Sequence, residues 1–215
     1  KQYGLQGINI DFEEFKENSD EPIIAFQKEL YEKLHAEGLL VTQDIMPNDS
    51  DYNVKELVAY NDYMILMAYD QHYSSSVPGS VCDQQWIEKE LDEAAADIPS
   101  DKIILGIACY GYDWPEKTEA TTVTYQQALA NAKQYNAVID FDNNTYNNWY
   151  SYKDADNIEH KVYFTDAATN FNTIRFADEY GTAGTAMWRL GSEDERIWSY
   201  YNRNLTKSSL QQTPF

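Results

Sequence analysis

Nine residues near the start of the chain, GINIDFEEF (residues 7–15), set three carboxylates directly behind an apolar run. Successive side chains of a strand point to opposite faces, so Ile8 and Ile10 go one way while Asn9, Asp11 and Glu13 go the other. A strand with one buried face gains nothing from Asn and Asp on its second face unless that face lines something wet. Asp11 and Glu13, two apart, fall within reach of each other, and two close carboxylates cannot both ionise cheaply. The raised member becomes a usable general acid near neutral pH. Glu14, on the opposite parity, reads as an exposed acid.

The elements around this stretch follow one grammar. Strand 5–12 leads to a helix opened by Ser19–Asp20–Glu21–Pro22 and stopped at Gly38. Strand 39–47, a short helix 53–59, strand 62–70, a helix 83–96 and strand 102–111 follow. The alternation predicts an α/β fold with a parallel sheet covered on both sides. Residues 115–164 change character: Thr, Asn, Asp and Tyr dominate, with a helix at 125–135 and strands at 137–142, 148–154 and 160–166, an α+β insertion. A helix 167–180, a parallel-type strand 182–190 and a helix 193–204 return to the first grammar, so 1–114 and 165–205 form one unit. Residues 206–215 read as a frayed tail.

Each strand of that unit ends in polar or aromatic residues: Asp11 and Glu13; Gln43, Asp44 and Met46; Tyr69 and Asp70; Tyr110 and Tyr112; Trp188 and Arg189. Ligand sites of parallel β/α folds form at this edge. Any one of these ends could be a solvated strand terminus, but five delivered to one rim read as a site.

Composition narrows the ligand. The formal net charge of −20 argues against a grip on nucleic acid or an anionic membrane, and fits a neutral or cationic ligand better than a polyanion. His35, His72 and His160 make no metal-ligand spacing, so neither metal nor cofactor is expected. Cys109 sits in the apolar run IILGIACYG as a small buried residue; a Cys82–Cys109 disulfide stays open. No apolar run reaches membrane-spanning length, and the abrupt KQYGLQG start reads as the cut end of a secreted or larger polypeptide, acting outside the cell, in the periplasm or at the envelope.

GINIDFE resembles the fourth-strand motif of glycoside hydrolase family 18, the chitinase family, with the pattern Asp-x-x-Asp-x-Asp-x-Glu. NDYMILMAYD is similar to its sixth strand with the Met-x-Tyr-Asp motif, KIILGIACYGYDW to its seventh, and GTAMWRLGSED to its eighth. KVYFTDAATNFNTIRFADEYGTAGTAMWRLG resembles the spore-cortex and peptidoglycan-lytic branch in particular. The resemblance implies a (β/α)8 TIM barrel of which this chain carries strands four to eight, with the insertion between strands seven and eight. Strands one to three would be absent, leaving an exposed edge or a dimer contact along strand 5–12.

The same resemblance implies a glycosidase that cleaves β-1,4 linkages at N-acetylglucosamine in a chitin-like or peptidoglycan-like polysaccharide. Glu13 would protonate the glycosidic oxygen, and the sugar's own acetamide would be the nucleophile, a known exception to the two-carboxylate scheme. Asp11 would orient the acetamide and Tyr69 would hydrogen-bond it, completing the catalytic set. Asn9, Gln43, Met67, Asp70, Tyr110 and Trp188 would bind substrate, with Trp188 flat beneath the sugar. Tyr110 and Tyr112 are divided between groove lining and core edge, as Trp114 and Trp149 are between sugar platforms and packing. Gln6 and Asn9 stand where the motif usually has Asp. The cortex-lytic branch often carries this Asn, yet an amide cannot share a proton as a carboxylate does. That favours N-acetylglucosamine polymers other than chitin and keeps a carbohydrate-binding module of a larger protein as the alternative.

Overall fold

The computed structural model describes residues 2–12, 20–47 and 53–201. Glu13, Glu14 and the tail fall outside them. β1 (Gly7–Ile10), α1 (Asp20–His35), β2 (Leu40–Ile45), α2 (Val54–Leu57) with a 3-10 turn at Val58–Tyr60, β3 (Tyr63–Leu66), α3 (Gln84–Asp97) and β4 (Ile103–Ala108) alternate as the hydrophobic pattern requires. After a second block come α5 (Ala167–Glu179), β10 (Gly184–Trp188), a 3-10 turn at Glu195–Ile197 and α6 (Trp198–Tyr201). Five parallel strands lie in the order β1-β2-β3-β4-β10.

Local chemistry fixes the element ends. Gly38 follows α1 at φ +70°, a conformation glycine takes without strain, and Leu39 N then donates back to Leu34 O at 3.0 Å. Asp83 caps α3 by accepting from Trp86 N at 2.7 Å, and Asp166 caps α5 through Thr169 N at 2.9 Å. Ile45, Met64, Leu66, Ile103 and Leu105 are buried against Leu57, Ile87, Leu91 and Ile98 of the helical layer. Each such side chain contributes roughly 1.5–3 kcal/mol of transfer free energy, and that apolar layer orients the opposite face of the sheet toward the site.

The second block is β5 (Gly111–Pro115), β6 (Thr121–Val123), α4 (Tyr125–Gln134), β7 (Asp140–Asp142), β8 (Asn147–Lys153) and β9 (Glu159–Phe164). These strands form an antiparallel sheet in the order β6-β5-β9-β8-β7. The expected boundary at 115 is therefore four residues late, because Gly111–Pro115 already pairs with β9, and the single strand expected over 102–111 is two strands in two sheets. A side chain at 111 is impossible in this register, since a Cβ would lie 2.3 Å from Tyr163 O. Chain exit and return are tied together: Thr165 Oγ1 donates to Ala108 O at 2.9 Å and Thr165 N to Tyr110 O at 3.2 Å.

β1 pairs only with β2, and β10 only with β4, so each borders the sheet among the described residues. The edge expected along strand 5–12 is there. Cys82 and Cys109 are buried free thiols, which removes the disulfide left open by the sequence. Burial pushes both thiols up, that of Cys109 to about 12 with Glu193 adding to the effect. Ellman's reagent is therefore expected to find no thiol in the folded protein and both after denaturation; rapid release from native protein would refute this packing.

Candidate functional site

Register decides which residues reach the rim. Ile8 and Ile10 align with Val41 and Gln43, and Asn9 aligns with Thr42. Val41, Gln43 and Ile45 are buried on the helix side. Asn9, Thr42 and Asp44 thus share the other face. There the Asn9 amide is fully committed: Nδ2 donates to Asp44 Oδ2 at 2.8 Å and Oδ1 accepts from the Thr42 hydroxyl at 2.6 Å. Asp11, two residues on, is exposed. Its expected partnership with Glu13 lies outside the described residues.

Gln43 does not reach the rim, which corrects its expected substrate role. It is buried under α1, where its Oε1 accepts from Asn61 Nδ2 at 3.2 Å while Asn61 Oδ1 accepts from Gln27 Nε2 at 2.7 Å. The physical reason is the two-residue period of the strand: Gln43 shares the parity of Val41 and Ile45 and must go where they go. Asp44 takes the rim position instead.

Past β3 the chain turns sharply. Met67 N donates to Ile45 O at 2.9 Å and Tyr69 N to Met67 O at 2.7 Å. Met67 is only 6% exposed and underlies the rim. Tyr69 lies across Gly106 of β4, where an added Cβ would stand 3.0 Å from its ring and 2.7 Å from Leu66 O. A glycine inside a strand is the expected signature of such a close approach.

Asp70 adopts φ +59°, in the left-handed region that Asp tolerates better than most residues. Its Oδ1 accepts two phenolic protons, from Tyr110 at 2.5 Å and Tyr112 at 2.9 Å. Burial raises the Asp70 carboxyl above the usual range, and the two phenols oppose that rise. Both phenols are themselves pushed well up by burial and by the facing carboxylate. Tyr110 is 4% exposed, so its expected substrate contact becomes a buried support of Asp70. Tyr112, left undecided by the sequence, does the same from β5. Tyr112→Phe removes one opposing hydrogen bond, so the Asp70 pKa is expected to rise further, as read by carboxyl 13C titration; a fall or no change would contradict the assigned contact.

Trp188 closes the rim from β10 at 54% exposure, its carbonyl accepting from Cys109 N at 2.7 Å. The Trp188–Arg189 peptide is cis. β3 and β10 flank β4, so Tyr69, Asp70 and Trp188 converge at one edge from neighbouring strands. Of the tryptophans of the insertion, Trp114 is buried and Trp149 stacks on Tyr163 with ring centroids 6.1 Å apart. Neither offers a free platform. Asp44 and Tyr112 are the site residues that the sequence-based set lacked.

Comparison with known proteins agrees with this arrangement. The profile of glycosyl hydrolases family 18 matches residues 1–194. A cortical fragment-lytic enzyme of Bacillus subtilis (strain 168) is 30% identical over 215 residues, covering 92% of this chain and 49% of its own length. The solved chitinase of Chromobacterium violaceum ATCC 12472 superposes with a TM-score of 0.83 at 29% identity, over 90% of this chain and 64% of that one. The Bacillus megaterium QM B1551 spore cortex-lytic enzyme SleL gives 0.86 at 26% identity, over 95% and 50%. The chain spans about half the length of that Bacillus subtilis relative. Curled parallel sheet and polar rim together define a glycosidase scaffold of the chitinase type. The chain belongs to glycosyl hydrolase family 18.

Proposed function

We propose that this chain supplies the chemical half of a glycosidase that cleaves β-1,4 linkages at N-acetylglucosamine in a chitin-like or peptidoglycan-like polysaccharide. The observation that carries the reading is the cluster at the end of β3, where Tyr69 and Asp70 are held in place beside an exposed indole. β1, β2, β3, β4 and β10 would be strands four to eight of an eight-stranded barrel, with the antiparallel sheet inserted between the seventh and eighth. Three further strands, from the same polypeptide or from a second copy, would cover the borders at β1 and β10. Among the described residues no helix is long and apolar enough to cross a membrane. The relatives' names, which speak of spore cortex, favour action at the cell envelope.

In the proposed reaction Glu13 gives its proton to the glycosidic oxygen as the C1–O bond breaks. The carbonyl oxygen of the sugar's acetamide attacks C1 and forms an oxazolinium ion. Water then opens that ion with Glu13 as base, so configuration at C1 is retained. Asp11 would align the acetamide and balance its positive charge, Tyr69 would hold its carbonyl oxygen, and Asp70 would wall the pocket. Trp188 would contact the apolar face of the ring. NMR of the first-formed products of N-acetylglucosamine oligomers, with the full-length protein, is expected to show the β-anomer. Initial α-anomer would overturn the mechanism.

A second reading is a carbohydrate-binding module of low activity. Asn9 favours it, since an amide locked between Thr42 and Asp44 carries no proton to share with Asp11. That reading expects oligosaccharide binding with no turnover at any pH from about 4 to 8, the span over which an ordinary or raised carboxyl changes state.

A further inference from the structure

The largest cleft lies away from the rim. It encloses about 610 Å³ between the 74–78 segment and the β5 end of the insertion sheet, with Lys161 and Glu159 of β9 at its side. That is the size of a ligand site. Its wall is built in advance: the His72 ring packs on Gly79 and its Nδ1 meets Val77 O at 3.0 Å, Ala120 N donates to Ser74 O at 2.8 Å, and Trp114 Nε1 to Tyr73 O at 3.3 Å. A braced wall binds without an ordering cost.

Its chemistry excludes two ligand classes. Trp114 is the single aromatic residue of the lining and is buried, so a sugar ring finds no exposed face to stack on. Three glutamates, Glu116, Glu119 and Glu159, stand among the lining residues and repel a polyanion. Lys117 and Lys161 share the cleft with them, over an apolar patch that includes Val77 and Pro78. Charges of both signs around an apolar floor complement a short peptide carrying an amine and carboxylates.

The cleft is also joined to the rim. Tyr69, Tyr110, Tyr112 and Trp114 form an unbroken row, with successive ring centroids 6.3, 5.6 and 5.3 Å apart. A ligand seated there is within reach of a saccharide at Tyr69. Resting on the saccharide reading above, we infer that this cleft takes a short peptide substituent borne by the glycan, so that the favoured substrate is a peptide-bearing cell-wall polymer rather than a bare one.

The test uses the full-length protein and three probes in parallel: a cell-wall disaccharide–tetrapeptide, the free tetrapeptide, and a peptide-free N-acetylglucosamine tetramer. Lys161→Glu and Val77→Asp, both at exposed positions apart from the rim, are expected to weaken the peptide-bearing probe about tenfold and leave the tetramer unchanged. The free tetrapeptide is expected to shift the Trp114 indole N–H resonance. Equal losses for both glycans, or no loss for either, would overturn the peptide assignment, as would a silent indole signal. If the unaltered protein binds no peptide-free tetramer, the saccharide reading of the rim fails instead, and the free tetrapeptide still reports on the cleft by itself.

Discussion

Replacing Glu13 with glutamine is expected to lower kcat on N-acetylglucosamine oligomers by about a thousandfold, within the range general acids supply, and to leave KM close to its original value. Glutamine keeps the shape and can accept a hydrogen bond, but it has no proton to give a departing alkoxide. The substrate's acetamide remains able to attack, so the loss should shrink for substrates whose leaving group needs no protonation, such as activated aryl glycosides. That selective sparing separates a missing acid from a collapsed pocket. Full activity of the variant on an unactivated oligosaccharide would remove Glu13 from the mechanism.

Gly106→Ala is the second large effect, and it acts without touching substrate. The added Cβ meets Leu66 O at 2.7 Å and the Tyr69 ring at 3.0 Å. The first contact is backbone and cannot move aside, so the strand or the ring must shift. Overpacking of this kind costs about 1–3 kcal/mol of stability, and a displacement near 1 Å of a positioned group costs about a hundredfold in rate. A lowered melting temperature together with a fall in kcat measured well below it is the expected pair of results. An alanine variant with unaltered kcat would mean that Tyr69 does not need its seat on β4.

Why some of this was legible and some was not is visible at individual residues. The parallel layers follow from apolar strands separated by capped helices, and that much needs only periodicity and end signals. Gly106, in the middle of IILGIA, marks a close approach, though nothing local says that Tyr69 makes it. The error at Gln43 was avoidable: in LVTQDI the parity of Val41 and Ile45 already assigns Gln43 to the core, and only its polarity suggested otherwise. Its burial is stabilised by Asn61 and Gln27, partners 18 and 34 residues removed from their acceptors in sequence. The split between β4 and β5 was not legible, because Ala108 through Gly111 is apolar and small enough to continue a strand, and only pairing with Phe164 and Val123 stops it. The roles of Tyr110 and Tyr112 required knowing that both phenols end at one Asp70 oxygen, a tertiary fact.

The knot at Thr165 has a consequence for how such a chain can change over time. Because the outgoing and returning segments of the second sheet meet within hydrogen-bond distance, everything between them is, to the parallel strands, a closed excursion. Enlarging or trimming an excursion whose ends already touch costs only about 0.6 kcal/mol per doubling of its length. Descendants of this architecture are free to remodel the outer sheet for new clients while the strands beneath, and the tyrosine seated on them, stay as they are.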